Sequence, residues 1–188
     1  MTILLHDGRL KFVRLEIASA EIPILLESHR KNWEAPGRLE AEGQALIASD
    51  FPVPRAAKFA ADVIRWGGGH RFVGRFNQKN PPERIAVSLQ HSEMLLEQDK
   101  PAEAVEVLRQ LNQLGQSFAS KMVRFLAPEK AVIFDSVIRG ALGYAETAGG
   151  YEAFLSDCRT ILNTVAEDHP HLRICDIEAA VFAKLQGY

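Results

Sequence analysis

The residue types that can do chemistry concentrate between Leu111 and Gly143. Helical spacing ends near Leu111 and resumes at Gln116, with Gly115 in the turn between them. Such a turn aims the unpaired amides of the new helix outward, which suits an anionic phosphate. A plain helix–helix corner, with glycine supplying a positive φ, has the same signature. Lys121 follows Ser117 by four residues and therefore shares its helix face. Helical side chains lean toward the N-terminus, so a lysine stem of about 6 Å carries its amine back over Ser117. A neutral lysine amine, in a dry pocket or beside a cation such as Arg124, is a nucleophile. Asp135, ahead of Ser136, opens the next helix. A carboxylate there caps first-turn amides, and it can also oppose positive charge developing on a reacting group.

The elements that must position these groups are helical almost throughout. Asp7-Gly8 between apolar flanks suits a small N-terminal hairpin within Ile3–Ile17. Helical spacing then runs over 21–33, 37–49 and 54–66, the last stopping at Gly67-Gly68-Gly69. Residues 72–76 fit either regular structure, and Asn80-Pro81-Pro82 is a break. Helices follow over 82–98, from Pro101 to Leu111, and over 116–126, 136–145, 151–167 and 174–185. Ala148-Gly149-Gly150 reads as a terminator between two of them. The expected architecture is mostly α across 1–188, as a single helical domain or two packed lobes around a cleft, with the central hairpin at 111–121.

Composition sets outer bounds. At 188 residues, 47% apolar and 24% charged, the chain has material for one proper core and is neither disordered nor fibrous. No apolar run approaches the roughly 20 residues of a membrane helix, and His6-Asp7-Gly8-Arg9 interrupts Ile3-Leu4-Leu5 before it forms a signal-peptide core. A cytoplasmic, reduced protein with no membrane partner is expected. Cys158 and Cys175 are too few for a four-thiolate centre and read as buried apolar groups. His169-Pro170-His171 lacks a third ligand, so no metal site is expected. The net charge of −2 is unevenly spread: Asp50–Ile85 holds seven basic residues against three acidic ones, and Ser92–Gln110 reverses that balance. A solvated face and a phosphate-binding face both fit such a run.

The stretch Leu111 to Ala119 resembles the hairpin of the helix-hairpin-helix DNA glycosylases, whose Leu-Pro-Gly-Val-Gly turn is followed by a small residue and alanine. Leu111, Leu114, Gly115 and Ala119 match in register. The family's catalytic aspartate then falls on Asp135 without a gap, within Ile133-Phe134-Asp135-Ser136. Phe118-Ala119-Ser120-Lys121, Arg124-Phe125-Leu126, the run Arg65 to Arg71 and the tail Asp176 to Phe182 are similar to the bacterial branch that is like the 8-oxoguanine glycosylases. The resemblance spans roughly residues 55–182. Asn112 and Gln113 depart from its proline and first glycine, Phe118 from its small residue, and Ser117 from its Schiff-base lysine.

The resemblance implies a glycosylase that extrudes a damaged or modified base, an oxidised purine in that branch, from duplex DNA and cleaves its N-glycosidic bond. Asp135 and Lys121 would be catalytic, Lys121 by a Schiff base that also permits strand nicking. Gln113, Gly115, Gln116, Ser117, Arg124, Arg71 and Arg75 would touch DNA, and Trp66 would stack on the extruded base. No cofactor is implied beyond a monovalent cation at the hairpin, and no obligate protein partner. The alternative is a non-catalytic helix-hairpin-helix module that binds DNA or a protein. The competing roles are ordinary: Asp135 as a helix cap, Lys121 as a snorkelling lysine, Trp66 as core, Arg71 and Arg75 as solvated loop.

Overall fold

Proline occupies the first turn of four helices, where its missing N–H costs nothing and its fixed φ helps. The computed structural model describes the backbone of residues 3–4, 9–12, 15–33 and 36–187, with side chains from residue 15 onward. Strands β1 (Ile3–Leu4), β2 (Arg9–Phe12) and β3 (Leu15–Ala18) lead into a 3₁₀ turn at Ser19–Glu21 and helix α1 (Ile22–Asn32). Then come α2 (Gly37–Ala48), α3 (Val53–Trp66), α4 (Val73–Lys79), α5 (Pro82–Glu97), α6 (Pro101–Arg109) and α7 (Gln116–Leu126). Helices α8 (Ser136–Leu142), α9 (Ala148–Val165) and α10 (Ile174–Gln186) close the chain. The protein is mostly helical.

The chain forms two compact units. One joins Met1–Glu34 to Phe134–Tyr188; the other is Ala35–Ile133. In the first, β1, β2 and β3 pair antiparallel in order, with Leu10 opposite Ile17. The expected turn at Asp7-Gly8 lies outside the described residues. Helix α1 packs along α10, which also meets α8 and α9. The Lys184 ammonium reaches both carboxylate oxygens of Glu21 at 3.0 and 2.9 Å, and that bond, with the Ala18 amide, holds the Glu21 carboxyl below its ordinary range. Phe134 sits in a nest of Tyr144, Tyr151 and Phe154 rings. The role of residues 1–34 was not legible beforehand: they complete this unit with α1 against α10.

In the second unit α7 is the most enclosed element, buried from Ala119 to Leu126. Helices α2, α3, α5 and α6 all pack on it. The approach of α2 requires Gly43, where a Cβ would lie 2.4 Å from the Phe125 carbonyl oxygen. Helix α3 buries Ala56, Phe59, Ala60, Ala61, Val63 and Ile64; the spacing of Ala57, Ala60, Ala61 and Ile64 marks part of that face, and Ala57 lies at its half-buried edge.

Two local expectations are resolved differently by packing. The ambiguous 72–76 becomes part of α4, tied down by buried Phe76. Ala148-Gly149-Gly150 does not terminate a helix; it is the first turn of α9, whose cap Thr147 accepts the Gly150 N–H at 3.0 Å. Glycine stands at 150 because a Cβ would lie 2.0 Å from the Ala145 carbonyl oxygen. The actual stop is Gly143, left-handed at φ 80°. Cys158 and Cys175 are free thiols and both buried, as expected. No helix among the described residues is long and apolar enough to cross a membrane.

Candidate functional site

The hairpin forms between α6 and α7. Leu111 and Leu114 are buried as its apolar anchors, while Asn112, Gln113 and Gly115 are exposed. The left-handed residue is Gln113, at φ 69°, not Gly115. Gly115 is extended (φ −74°, ψ 169°) and caps α7 with no side chain of its own. A Cβ there would meet nothing within 4 Å. The sequence reading placed the positive φ at the wrong residue: the turn bends at Gln113, which accepts a conformation that costs L-residues about 1–2 kcal/mol.

What holds the turn in that shape is Asn80, fully buried. Its amide donates to the carbonyls of Phe76 (2.8 Å) and Asn112 (2.9 Å), and its carbonyl accepts the Asn112 N–H at 2.8 Å. The Asn112 amide in turn donates to the Lys79 carbonyl at 3.0 Å. Arg84 donates to the Gln110 carbonyl at 2.6 Å. Asn112 therefore uses a backbone donor that proline would lack. Asn80 had been read only as part of a Pro-Pro break; no local signal links it to a turn 32 residues away.

Around the turn, where the resemblance implies a bound cation, several carbonyls take part in protein hydrogen bonds. The carbonyls of Gln110, Leu111, Asn112 and Gly115 already accept protein donors, the first from a guanidinium. Gln116, expected on the DNA face, is buried at 0% exposure. Ser117 is half-buried.

Lys121 is not a snorkelling surface lysine. It is 6% exposed, and its Nζ donates to Ser117 Oγ at 3.1 Å, the backward reach expected from helix geometry. The ammonium lies 5.5 Å from the Phe118 ring centre, and Phe118 packs edge-on to Phe72. Gly67 makes this possible: a Cβ there would meet Phe118 Cε1 at 2.8 Å and Lys121 Cδ at 2.9 Å. The glycine triplet is thus more than a helix stop; its first member is the surface on which the lysine stem rests.

Arg124 is a correction. It is 4% exposed and ion-paired with Glu40 on α2 at 2.6 Å, so its charge is satisfied inside the unit rather than offered to a phosphate. A partner 84 residues away leaves no trace in local patterning. Trp66 is half-buried with its ring edge-to-face on Phe125, 4.9 Å between centres, which is a packing role. Arg71 and Arg75 are exposed.

Asp135 belongs to the other unit and does cap α8. One carboxylate oxygen accepts the amides of Val137 (3.0 Å) and Ile138 (3.1 Å). Arg139 braces the preceding residue, donating to the Phe134 carbonyl at 2.9 Å and to Glu146 at 2.9 Å. No group of three His, Cys, Asp or Glu residues among those described is arranged to hold a metal.

No protein-family model, curated protein or solved structure matches this chain.

Proposed function

We propose that the protein is a DNA base-excision glycosylase acting on a damaged or modified base, with a helix-hairpin-helix fold. The observation that carries the reading is the hairpin turn. Gln113 adopts the left-handed backbone at the place where the resembling family has glycine, and the turn leaves Gly115 exposed, with open space around it, at the cap of α7. That is the geometry a phosphate needs for close approach to backbone amides. The Lys121 amine adds support, because it ends 3.1 Å from the hydroxyl of Ser117, the position that carries the family's Schiff-base lysine.

In this reading the bond from sugar C1′ to the base breaks, and its electron pair leaves with the base. The Asp135 carboxylate opposes the positive charge that develops on the sugar. The Lys121 amine, as the neutral form, attacks C1′ and yields an imine after ring opening. An oxidised purine is the substrate class that the resemblance favours.

The test is a panel of duplexes, each bearing one modified base, incubated with and without borohydride. The imine should be reduced to a covalent protein–DNA adduct that Lys121→Ala abolishes. Asp135→Asn should slow base release about a hundredfold or more, since a neutral amide cannot offset the sugar cation. Base release without trapping would leave water as the nucleophile. DNA binding with no chemistry, unchanged by either substitution, would make the chain a non-catalytic DNA-binding module.

A further inference from the structure

Five of the thirteen lysines and arginines of the unit 35–133 form ion pairs with acids among the described residues. Lys58 and Arg65 pair with Asp62 at 2.6 and 2.8 Å, Arg38 with Glu42 at 2.7 Å, Arg109 with Glu106 at 2.7 Å, and Arg124 with Glu40. One stretch stands apart. Between Asp62 and Glu83 the sequence has no acidic residue, yet it carries Arg71, Arg75 and Lys79. All three are exposed, and none is in an ion pair among the described residues. Arg75 and Lys79, four apart, share one face of α4, and Arg71 precedes them by the same interval.

This stripe is fastened to the hairpin. Lys79 is the last residue of α4, and its carbonyl accepts from Asn112; the next residue, Asn80, holds Asn112 from both sides. Arg84, exposed, reaches the Gln110 carbonyl at the other edge of the turn. The end of α4 and the Arg84 guanidinium are therefore tied directly to the hairpin. Gly74, which borders the stripe, is exposed, and a Cβ there would meet nothing within 4 Å. A glycine inside a short helix costs about 1 kcal/mol against alanine, a cost that close approach of a backbone ligand would offset.

We infer that Arg71, Arg75, Lys79 and Arg84 form a second phosphate-binding track, continuous with the hairpin, on which the backbone of duplex DNA lies. The inference rests on the DNA reading above, in which Arg71 and Arg75 already touch DNA, and adds Lys79, Arg84 and their continuity with the hairpin. Contacts of this kind position the duplex without reading its sequence. They release condensed counterions, so each removed contact lowers the salt slope of binding by about 0.9.

The experiment is fluorescence anisotropy with a labelled, undamaged 20-base-pair duplex, titrated across potassium chloride concentrations. The full chain is compared with the triple variant Arg71→Gln, Arg75→Gln, Lys79→Gln. A control triple, Arg38→Gln, Lys58→Gln, Arg65→Gln, removes as many charges from the acid-matched cluster. Circular dichroism verifies that each variant folds. The stripe variant should bind more weakly with a slope shallower by about 2–3, and the control should keep the wild-type slope. Equal loss in both triples would reduce the effect to net charge and overturn the track. An unchanged stripe variant, with binding still lost in Gly115→Val, would overturn the track and leave the hairpin reading standing. No binding by the wild type would sink the DNA reading and the track with it.

Discussion

Two helix starts in this molecule solve the same problem in opposite ways. At α8 the chain supplies its own anion: the Asp135 carboxylate takes the amides of Val137 and Ile138. At α7 the cap is Gly115, which has no side chain to offer and faces open space. Every helix begins with amides that need acceptors. Where the protein provides the acceptor, the start is structurally complete, and the charge of the cap remains to act on whatever approaches. At α7 the backbone itself answers in part, the Gly115 carbonyl accepting the amides of Phe118 and Ala119. The contrast sets a start capped by a side chain against one whose cap has none, and it can be broken by substitutions that act on one start alone.

The largest effect is expected at Asn80, because one buried side chain makes three hydrogen bonds, two of them to Asn112 in the turn before α7. Asn80→Ala should destabilise the protein by about 2–3 kcal/mol in urea unfolding, since buried backbone partners are left unsatisfied. A loss below about 1 kcal/mol would mean that Leu111 and Leu114 hold the turn by packing alone. At α8, Asp135→Ala should cost about 1 kcal/mol, whereas Asp135→Asn should cost less than half of that because asparagine caps comparably. The asparagine variant thus separates the cap from the charge: stability is nearly kept, and under the proposed function base release is impaired. The smallest effect concerns Gln113. Replacing it with glycine should stabilise by about 0.5–1 kcal/mol through relief of the left-handed backbone. Thermal unfolding checks it, and a destabilised Gln113→Gly would show that the glutamine side chain holds the turn.

Legibility followed the range of the forces involved. Helix positions were readable because apolar spacing, prolines and the Asp135 cap are local; α10 was expected over 174–185 and spans Ile174–Gln186. The backward reach of Lys121 over Ser117 was readable for the same reason, since it follows from the lean of helical side chains. What failed depended on distant partners. Gly150 looked like a helix stop because nothing nearby reveals how closely the Ala145 carbonyl approaches it. Arg124 looked like a phosphate ligand because Glu40 is remote in sequence. Gln113 seemed a poor turn residue because the Asn80 clamp that imposes its conformation acts on the neighbouring residue from another helix.

The burial of the two cysteines has a practical corollary. Both thiols belong to the unit completed by Phe134–Tyr188, and the unit 35–133 has none. Cys158 is further quietened: burial first, then the nearby carboxylates of Glu178 and Asp157, push its thiol well above the usual range. A thiol-specific reagent therefore finds nothing to modify in the native fold, and its rate of reaction becomes a clock for the opening of one unit. Each unit also carries one tryptophan, Trp33 in the first and Trp66 in the second. Fluorescence of Trp66 in a Trp33→Phe variant, followed alongside thiol labelling, times the two units separately.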